Sequence, residues 1–234
     1  MENLENWNLD LLTNALLKGC VTILAGKGNV DETDLSLNAA LQLGLSRNKS
    51  VAVMSDKTSN SDILAKSTLI FGNLKTDRVL WGDTSNADWQ VLYCFPDALA
   101  KSRIFVNCKG GFSVNSAADE LSAFASYAKL DVAVINLNLF NSFKNTEARK
   151  QFGSNLLKIR DVAKQDNCHV IVTTHCDTPF YEWRLLNNFV TDNIQLVQFF
   201  DENDLGLNFF GGKNDGKIGR VTYDETTGRF NIAE

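Results

Sequence analysis

Cys20-Val21-Thr22-Ile23-Leu24-Ala25-Gly26-Lys27-Gly28-Asn29-Val30-Asp31-Glu32-Thr33-Asp34-Leu35 reads as a strand, a loop and the start of a helix. Residues 20–25 are apolar apart from one threonine, which suits a buried strand. Leu35, Leu37, Ala39, Ala40, Leu41 and Leu43 then recur at helical spacing. A strand–loop–helix of this kind holds phosphate when small residues let backbone N–H groups wrap the anion and a lysine neutralises it. Here Gly26, Lys27 and Gly28 supply small residues and a cation at the front of the loop, but the loop closes on Asp31, Glu32, Thr33 and Asp34. Acid stands where the chemistry asks for base, so the stretch has the layout of a nucleotide site without its electrostatics.

Outward from this stretch the pattern alternates. Strands are expected at 20–25, 50–55, 103–107, 131–137 and 169–174, and helices at 3–17, 33–46, 60–72, 85–100, 114–129 and 146–166. The strands are continuous apolar runs, such as Val132-Ala133-Val134-Ile135 and Val170-Ile171-Val172. Runs of that type belong to a parallel sheet covered on both faces. Beyond residue 190 short strands at 194–200, 206–210, 217–223 and 229–232 are divided by Gly and Asn/Asp turns. They predict an antiparallel meander that closes the chain. The whole reads as α/β, with a linker-like helix over 1–18 and one domain over 19–234.

Composition narrows the function. The 234 residues and 44% apolar content suit one large packed domain. A net charge of −5 gives no global field favouring nucleic acid. Cys20, Cys94, Cys108, Cys168 and Cys176 are odd in number and lack CxxC spacing. With no signal peptide at the start, they read as reduced thiols of a cytoplasmic protein. No apolar run reaches the ~18 residues that span a bilayer, so no membrane role is expected.

The order of the motifs carries a family resemblance. Leu9-Asp10-Leu11-Leu12-Thr13 followed by Leu17-Lys18-Gly19-Cys20-Val21-Thr22-Ile23-Leu24-Ala25-Gly26 resembles the entry into the ATPase domain of DnaB-type replicative helicases. Leu35 to Leu41, with Asn38, is similar to the helix that follows that family's phosphate loop. Asp88-Trp89, the stretch Gln151 to Val172, and Gly212-Lys213 with Ile218-Gly219 and Thr227-Gly228-Arg229-Phe230 continue the likeness over roughly residues 9–231. The resemblance implies a RecA-like P-loop NTPase core, with a mainly parallel sheet, helices on both faces and C-terminal antiparallel hairpins.

Carried over position by position, the resemblance implies a changed ATPase site. Glu32 stands at the phosphate-loop lysine and Asp31 at the glycine before it, while Thr33 keeps the magnesium-binding hydroxyl and Asp34 follows. Lys57 takes the place of the catalytic glutamate, Asn136 that of the Walker B aspartate and His175 that of a polar glutamine. Lys213 keeps a basic residue of the hairpin, but Asp215 replaces the arginine finger. A unit charge pair at ~5 Å and an effective dielectric of ~20 is worth about 3 kcal/mol. Replacing lysine by glutamate therefore swings phosphate binding by about 6 kcal/mol, or roughly 10⁴-fold.

Simpler readings stand beside these. Asp31, Glu32 and Asp34 suit a solvated helix start, where acids complement the dipole. Three close acids also suit a weak divalent-metal site, and a swapped Glu32–Lys57 ion pair would close an empty pocket. His175 reads as a hydrogen-bonded structural residue, with zinc held by His169, His175 and Cys176 a remote alternative. Phe180-Tyr181-Glu182-Trp183-Arg184 reads as packing sooner than as a base-stacking strip. Residues 174–193 hold a single cation, Arg184, against Asp177, Glu182 and Asp192, so nucleic-acid binding is expected to be weak or absent.

The expected function is a catalytically inactive DnaB-like protein, a pseudoenzyme with no cofactor that binds protein partners as an accessory or regulatory factor in DNA replication. A replicative helicase or a second copy of the chain is the expected partner. The alternative is a nucleotide-dependent DNA helicase or ATPase with an atypical site, which would use ATP and Mg²⁺.

Overall fold

The structure is a computed structural model that describes residues 9–13, 16–26, 32–55, 58–108, 116–136, 146–175, 186, 188–201, 205–211 and 215–233. Its strands are β1 (Val21–Gly26), β2 (Val51–Ser55), β3 (Ile104–Asn107), β4 (Val132–Asn136), β5 (His169–His175), β6 (Ile194–Asp201), β7 (Leu205–Phe210), β8 (Ile218–Asp224) and β9 (Arg229–Ala233). They join in one sheet, ordered β3-β2-β4-β5-β1-β6-β7-β8-β9. The first six strands pair in parallel, and β6 to β9 form the antiparallel meander. A mainly parallel sheet with an antiparallel C-terminal extension is the architecture that the apolar runs and the later Gly-rich turns imply.

Helices cover both faces. These are α1 (Asp10–Thr13), α2 (Glu32–Leu41), α3 (Asn60–Gly72), α4 (Thr76–Trp81), α5 (Asn86–Lys101), α6 (Ala117–Tyr127) and α7 (Thr146–Gln165). On one face Leu35, Leu41, Ile63, Ile70 and Phe95 pack on Leu24, Val53, Val134 and Ile171. On the other, Leu121, Phe152, Leu156 and Ile159 pack on Ile23, Ala52, Ile135 and Val172. Alternate strand residues thus feed two cores, which is why the strands lack a polar face.

Three details differ from the sequence reading. The helix expected to run to residue 17 does not reach it: Leu16 and Leu17 are non-helical, and Lys18-Gly19 turns the chain with Gly19 at φ +74°. Leu9 and Leu12 are fully buried in the domain core, and Leu11 packs against Gly219. The segment therefore docks on its own domain, while Trp7 lies outside the described residues. Second, α2 passes into a π-helical turn over Gln42–Ser46. Third, α4 is an extra helix; none of its residues is buried, so no apolar periodicity marks it. Among the described residues no helix is long and apolar enough to cross a membrane.

At the N-terminal ends of the strands a polar chain crosses the buried interior. Gln195 donates Nε2–H to the Thr22 hydroxyl at 2.5 Å, and Thr22 Oγ1 lies 2.8 Å from His169 Nε2. His169 Nδ1 is 2.7 Å from the Leu17 carbonyl. A carbonyl can only accept, so Nδ1 carries the proton and Nε2 accepts from Thr22. Burial holds the imidazole neutral and pushes its pKa from 6.5 down to about 4.

This depression fixes the sign of a pH effect. Above the unfolded value both states are neutral; as pH falls toward the folded value, only the unfolded chain takes up the proton, and stability is lost. The full shift corresponds to about 3 kcal/mol. Urea unfolding at pH 7.5, 6 and 5 should show wild-type stability dropping progressively. His169→Gln removes the titrating group and should lack that component, so the wild-type minus variant difference should shrink on acidification.

Candidate functional site

The parallel strands bring β1, β4 and β5 to one edge beneath the first turn of α2. Gly26 ends β1 in register with His175 of β5, and Asn136 ends β4 in register with Thr173. The carboxyl ends of parallel strands facing a helix N-terminus are where such folds bind ligands.

At this edge two of the positions singled out from the sequence meet. Asn136 donates Nδ2–H to the Thr33 hydroxyl at 2.7 Å. Asn136 is 2% exposed, and its Oδ1 has no hydrogen-bond partner among the described residues. The hydroxyl of Thr173 on the neighbouring strand is likewise buried without a partner. An amide–hydroxyl bond joins the loop-side hydroxyl to the end of β4, and the orphaned carbonyl oxygen remains the one acceptor on Asn136.

Glu32 and Asp34 are not solvated as a helix start would leave them. Glu32 is 4% and Asp34 7% exposed. Lys66 of α3 places Nζ 2.6 Å from Asp34 Oδ1, and the Tyr223 hydroxyl donates to Oδ2 at 3.3 Å. Asp34 is therefore a charged strut between α2, α3 and β8, compensated by a partner that lies 32 residues away. No grouping of three or more His, Cys, Asp or Glu suited to a metal occurs among the described residues.

Asn38, one turn further along α2, is fully buried and makes three hydrogen bonds. Its Nδ2 donates to the carbonyls of Asp34 at 2.7 Å and Gly228 at 2.8 Å, and its Oδ1 accepts from the Phe230 N–H at 3.1 Å. Gly228, at φ +69°, lets the β8–β9 turn approach: a Cβ there would lie 3.4 Å from Ile70 and 3.6 Å from Asp34. Tyr223 and Phe230 stack at 4.2 Å on the same hairpin.

The remaining positions are scattered. Asp215 is exposed and accepts from the Gly211 N–H at 2.8 Å, closing its own β7–β8 turn. Asp88 completes a capping box with Ser85 at the start of α5, which explains the acid of the Asp88-Trp89 pair. Lys27, Gly28, Asp31, Lys57, Cys176, the 180–184 strip and Lys213 lie outside the described residues, as does the side chain of His175. His169 is the strand histidine that the structure does describe, and its hydrogen bonds are structural. The sequence reading missed Lys66 and Tyr223 altogether, because nothing local connects them to Asp34.

The sequence profile of the DnaB-like helicase C-terminal domain matches residues 5–177. The chain belongs to that family. Among solved structures, an ATPase domain superposes on this DnaB-like chain with a TM-score of 0.76 at 14% identity, covering 97% of this chain and 89% of that one. A DnaB-like replicative helicase, solved in a study of its interactions with primase, gives a TM-score of 0.74 at 15% identity, covering 95% of this chain and 61% of that one. These likenesses establish a RecA-like helicase-domain fold. No curated protein sequence matches the chain.

Substitutions at two contacts test the struts. Asn38→Ala strands the Phe230 N–H and the Gly228 carbonyl in a buried setting, and should lower unfolding free energy by about 2–4 kcal/mol in denaturant titration. Asn38→Asp turns a carboxylate oxygen on two carbonyls in a buried site and should destabilise at least as much. For the ion pair, Asp34→Ala and Lys66→Ala should be non-additive, with a coupling of about 1–2 kcal/mol in a double-mutant cycle. The lysine end is partly exposed, which keeps the coupling below that of a fully buried pair.

Proposed function

We propose that this DnaB-like domain does not hydrolyse ATP and acts by binding protein partners, as an accessory or regulatory factor in DNA replication. The observation that carries this reading is the 2.7 Å hydrogen bond from the Asn136 amide to the Thr33 hydroxyl, beside the buried acid Glu32. A magnesium–phosphate group needs oxygen lone pairs turned inward and a cation against the phosphate. Here Thr33 receives an N–H from Asn136, and the helix start presents buried carboxylates in place of a lysine. The donor set does not fit Mg²⁺-bound nucleotide, although the Asn136 carbonyl oxygen alone has the chemistry of a metal ligand. Family membership supports a replication-related role, and a replicative helicase or a second copy of this chain is the partner class the reading names. Weak or absent nucleic-acid binding follows from the net charge of −5.

Calorimetric titration of ATP with Mg²⁺ tests this reading. No binding tighter than ~10 μM, about −7 kcal/mol, is expected. Phosphate release over hours should match the buffer blank. A lower dissociation constant, or turnover lost in Thr33→Ala, would instead establish a nucleotide-dependent helicase or ATPase with an atypical site.

A further inference from the structure

Helix α4 has little of its own to hold it. It has six residues, and none is buried. Leu80 is 77% and Trp81 87% exposed. So short a helix does not persist in water without tertiary contacts. Arg78 pairs with Asp83 at 3.5 Å and Asp88 at 3.8 Å, and its Nε–H donates to the Asp83 carbonyl at 3.0 Å. Such pairs at a surface contribute little. Leu74, two residues before α4, is buried at the end of α3. Among the described residues, one contact fastens α4 to the sheet by hydrogen bonds. The N–H and the hydroxyl of Thr76 both donate to the Thr226 carbonyl, at 2.8 and 3.1 Å.

Thr226 sits in the turn between β8 and β9, and that turn is braced from within. Asp224 Oδ1 accepts from the Thr226 N–H at 2.9 Å and from its hydroxyl at 2.6 Å. The Asp224 carbonyl accepts from the N–H groups of Thr227 at 3.2 Å and Gly228 at 2.8 Å. The same turn is gripped from α2: the Gly228 carbonyl accepts from Asn38 Nδ2, and the Phe230 N–H donates to Asn38 Oδ1. A continuous run of hydrogen bonds and short backbone therefore leads from Asn38 in α2, through the turn, to the first residue of α4.

We infer that the β8–β9 turn is a relay that sets the order of α4 according to how α2 is packed. While Asn38 grips the turn, the Thr226 carbonyl stands where Thr76 reaches it, and α4 is folded. When the grip is lost the turn shifts, Thr76 loses its acceptor, and the short helix opens. Leu80 and Trp81 are thus held in fixed positions at the surface only while α2 is in place. The coupling runs both ways, because a free energy shared between two sites is reciprocal. It is independent of whether nucleotide binds.

Hydrogen exchange of the full chain, read by mass spectrometry on peptides that cover α4, tests the relay. Thr76→Pro is the decisive variant. Proline suits the first position of a helix, and Lys75 before it already has the extended backbone, φ −73° and ψ 125°, that a following proline requires. The substitution keeps the geometry of the helix and removes both donors to Thr226. Exchange in α4 should rise about tenfold. Asp224→Ala, at an exposed position, loosens the turn without touching α4 and should act in the same direction, as should Asn38→Ala. His169→Gln, at the opposite ends of the strands, should leave these amides unchanged, because a local opening does not follow global stability. Unchanged or slower exchange in Thr76→Pro would overturn the proposal, since Leu74 and the caps of α4 would then suffice to hold it. A rise in Thr76→Pro without one in Asp224→Ala would also overturn it, as would a rise in His169→Gln equal to that in Asn38→Ala.

Discussion

Three hydrogen bonds from one buried amide set the shape of the site. Asn38 grips the Asp34 carbonyl on its own helix and the Gly228 carbonyl and Phe230 N–H on the β8–β9 hairpin. A buried amide with donors and acceptor all satisfied is rigid, because each lost bond would leave a polar group stranded in a low-dielectric interior. The hairpin lies 190 residues further along the chain, so the meander is fastened to the helix that follows the loop. The Asp34–Lys66 pair and the Tyr223 hydroxyl then draw α3 and β8 to the same point. None of these contacts depends on a bound phosphate.

That independence bears on how the start of α2 is held in place. A lysine at the loop is not required for α2 to stay in place, since its first turn is held by α3 and the hairpin. The two acids of that turn are buried, and a third carboxylate at the end of β4 would add to an already costly concentration of negative charge. Asn136 supplies a neutral group of nearly the same shape, and its N–H meets the Thr33 hydroxyl where a carboxylate could only accept.

The nine described strands were legible in the sequence, five because apolar runs mark buried parallel strands and four because Gly and Asn/Asp turns divide the chain after residue 190. Helix positions followed from apolar periodicity, and the exceptions have physical causes. α4 buries nothing and so shows no period. The N-terminal helix was read too long because Leu16 and Leu17 continue an apolar spacing past Thr13, whereas Gly19 and the Leu17 carbonyl bond to His169 turn the backbone aside. The change of charge at the loop was also readable. Its packing was not: Asp34 looks like a surface acid until Lys66 is known to sit beside it, and local sequence carries no trace of that pairing.

Buried polarity is satisfied unevenly along the parallel strands. At the N-terminal edge, Gln195, Thr22, His169 and the Leu17 carbonyl form a chain in which every donor of the imidazole and hydroxyl has an acceptor. Among the described residues, the Ser50 hydroxyl before β2 and, at the C-terminal edge, the Asn136 and Thr173 side-chain oxygens have no partner. A fully satisfied network fixes structure, and an unsatisfied one marks the place where a fold has kept polarity for some other purpose. Satisfied and unsatisfied polar groups thus lie within one sheet, and only the satisfied chain of Gln195, Thr22 and His169 ties three strands together.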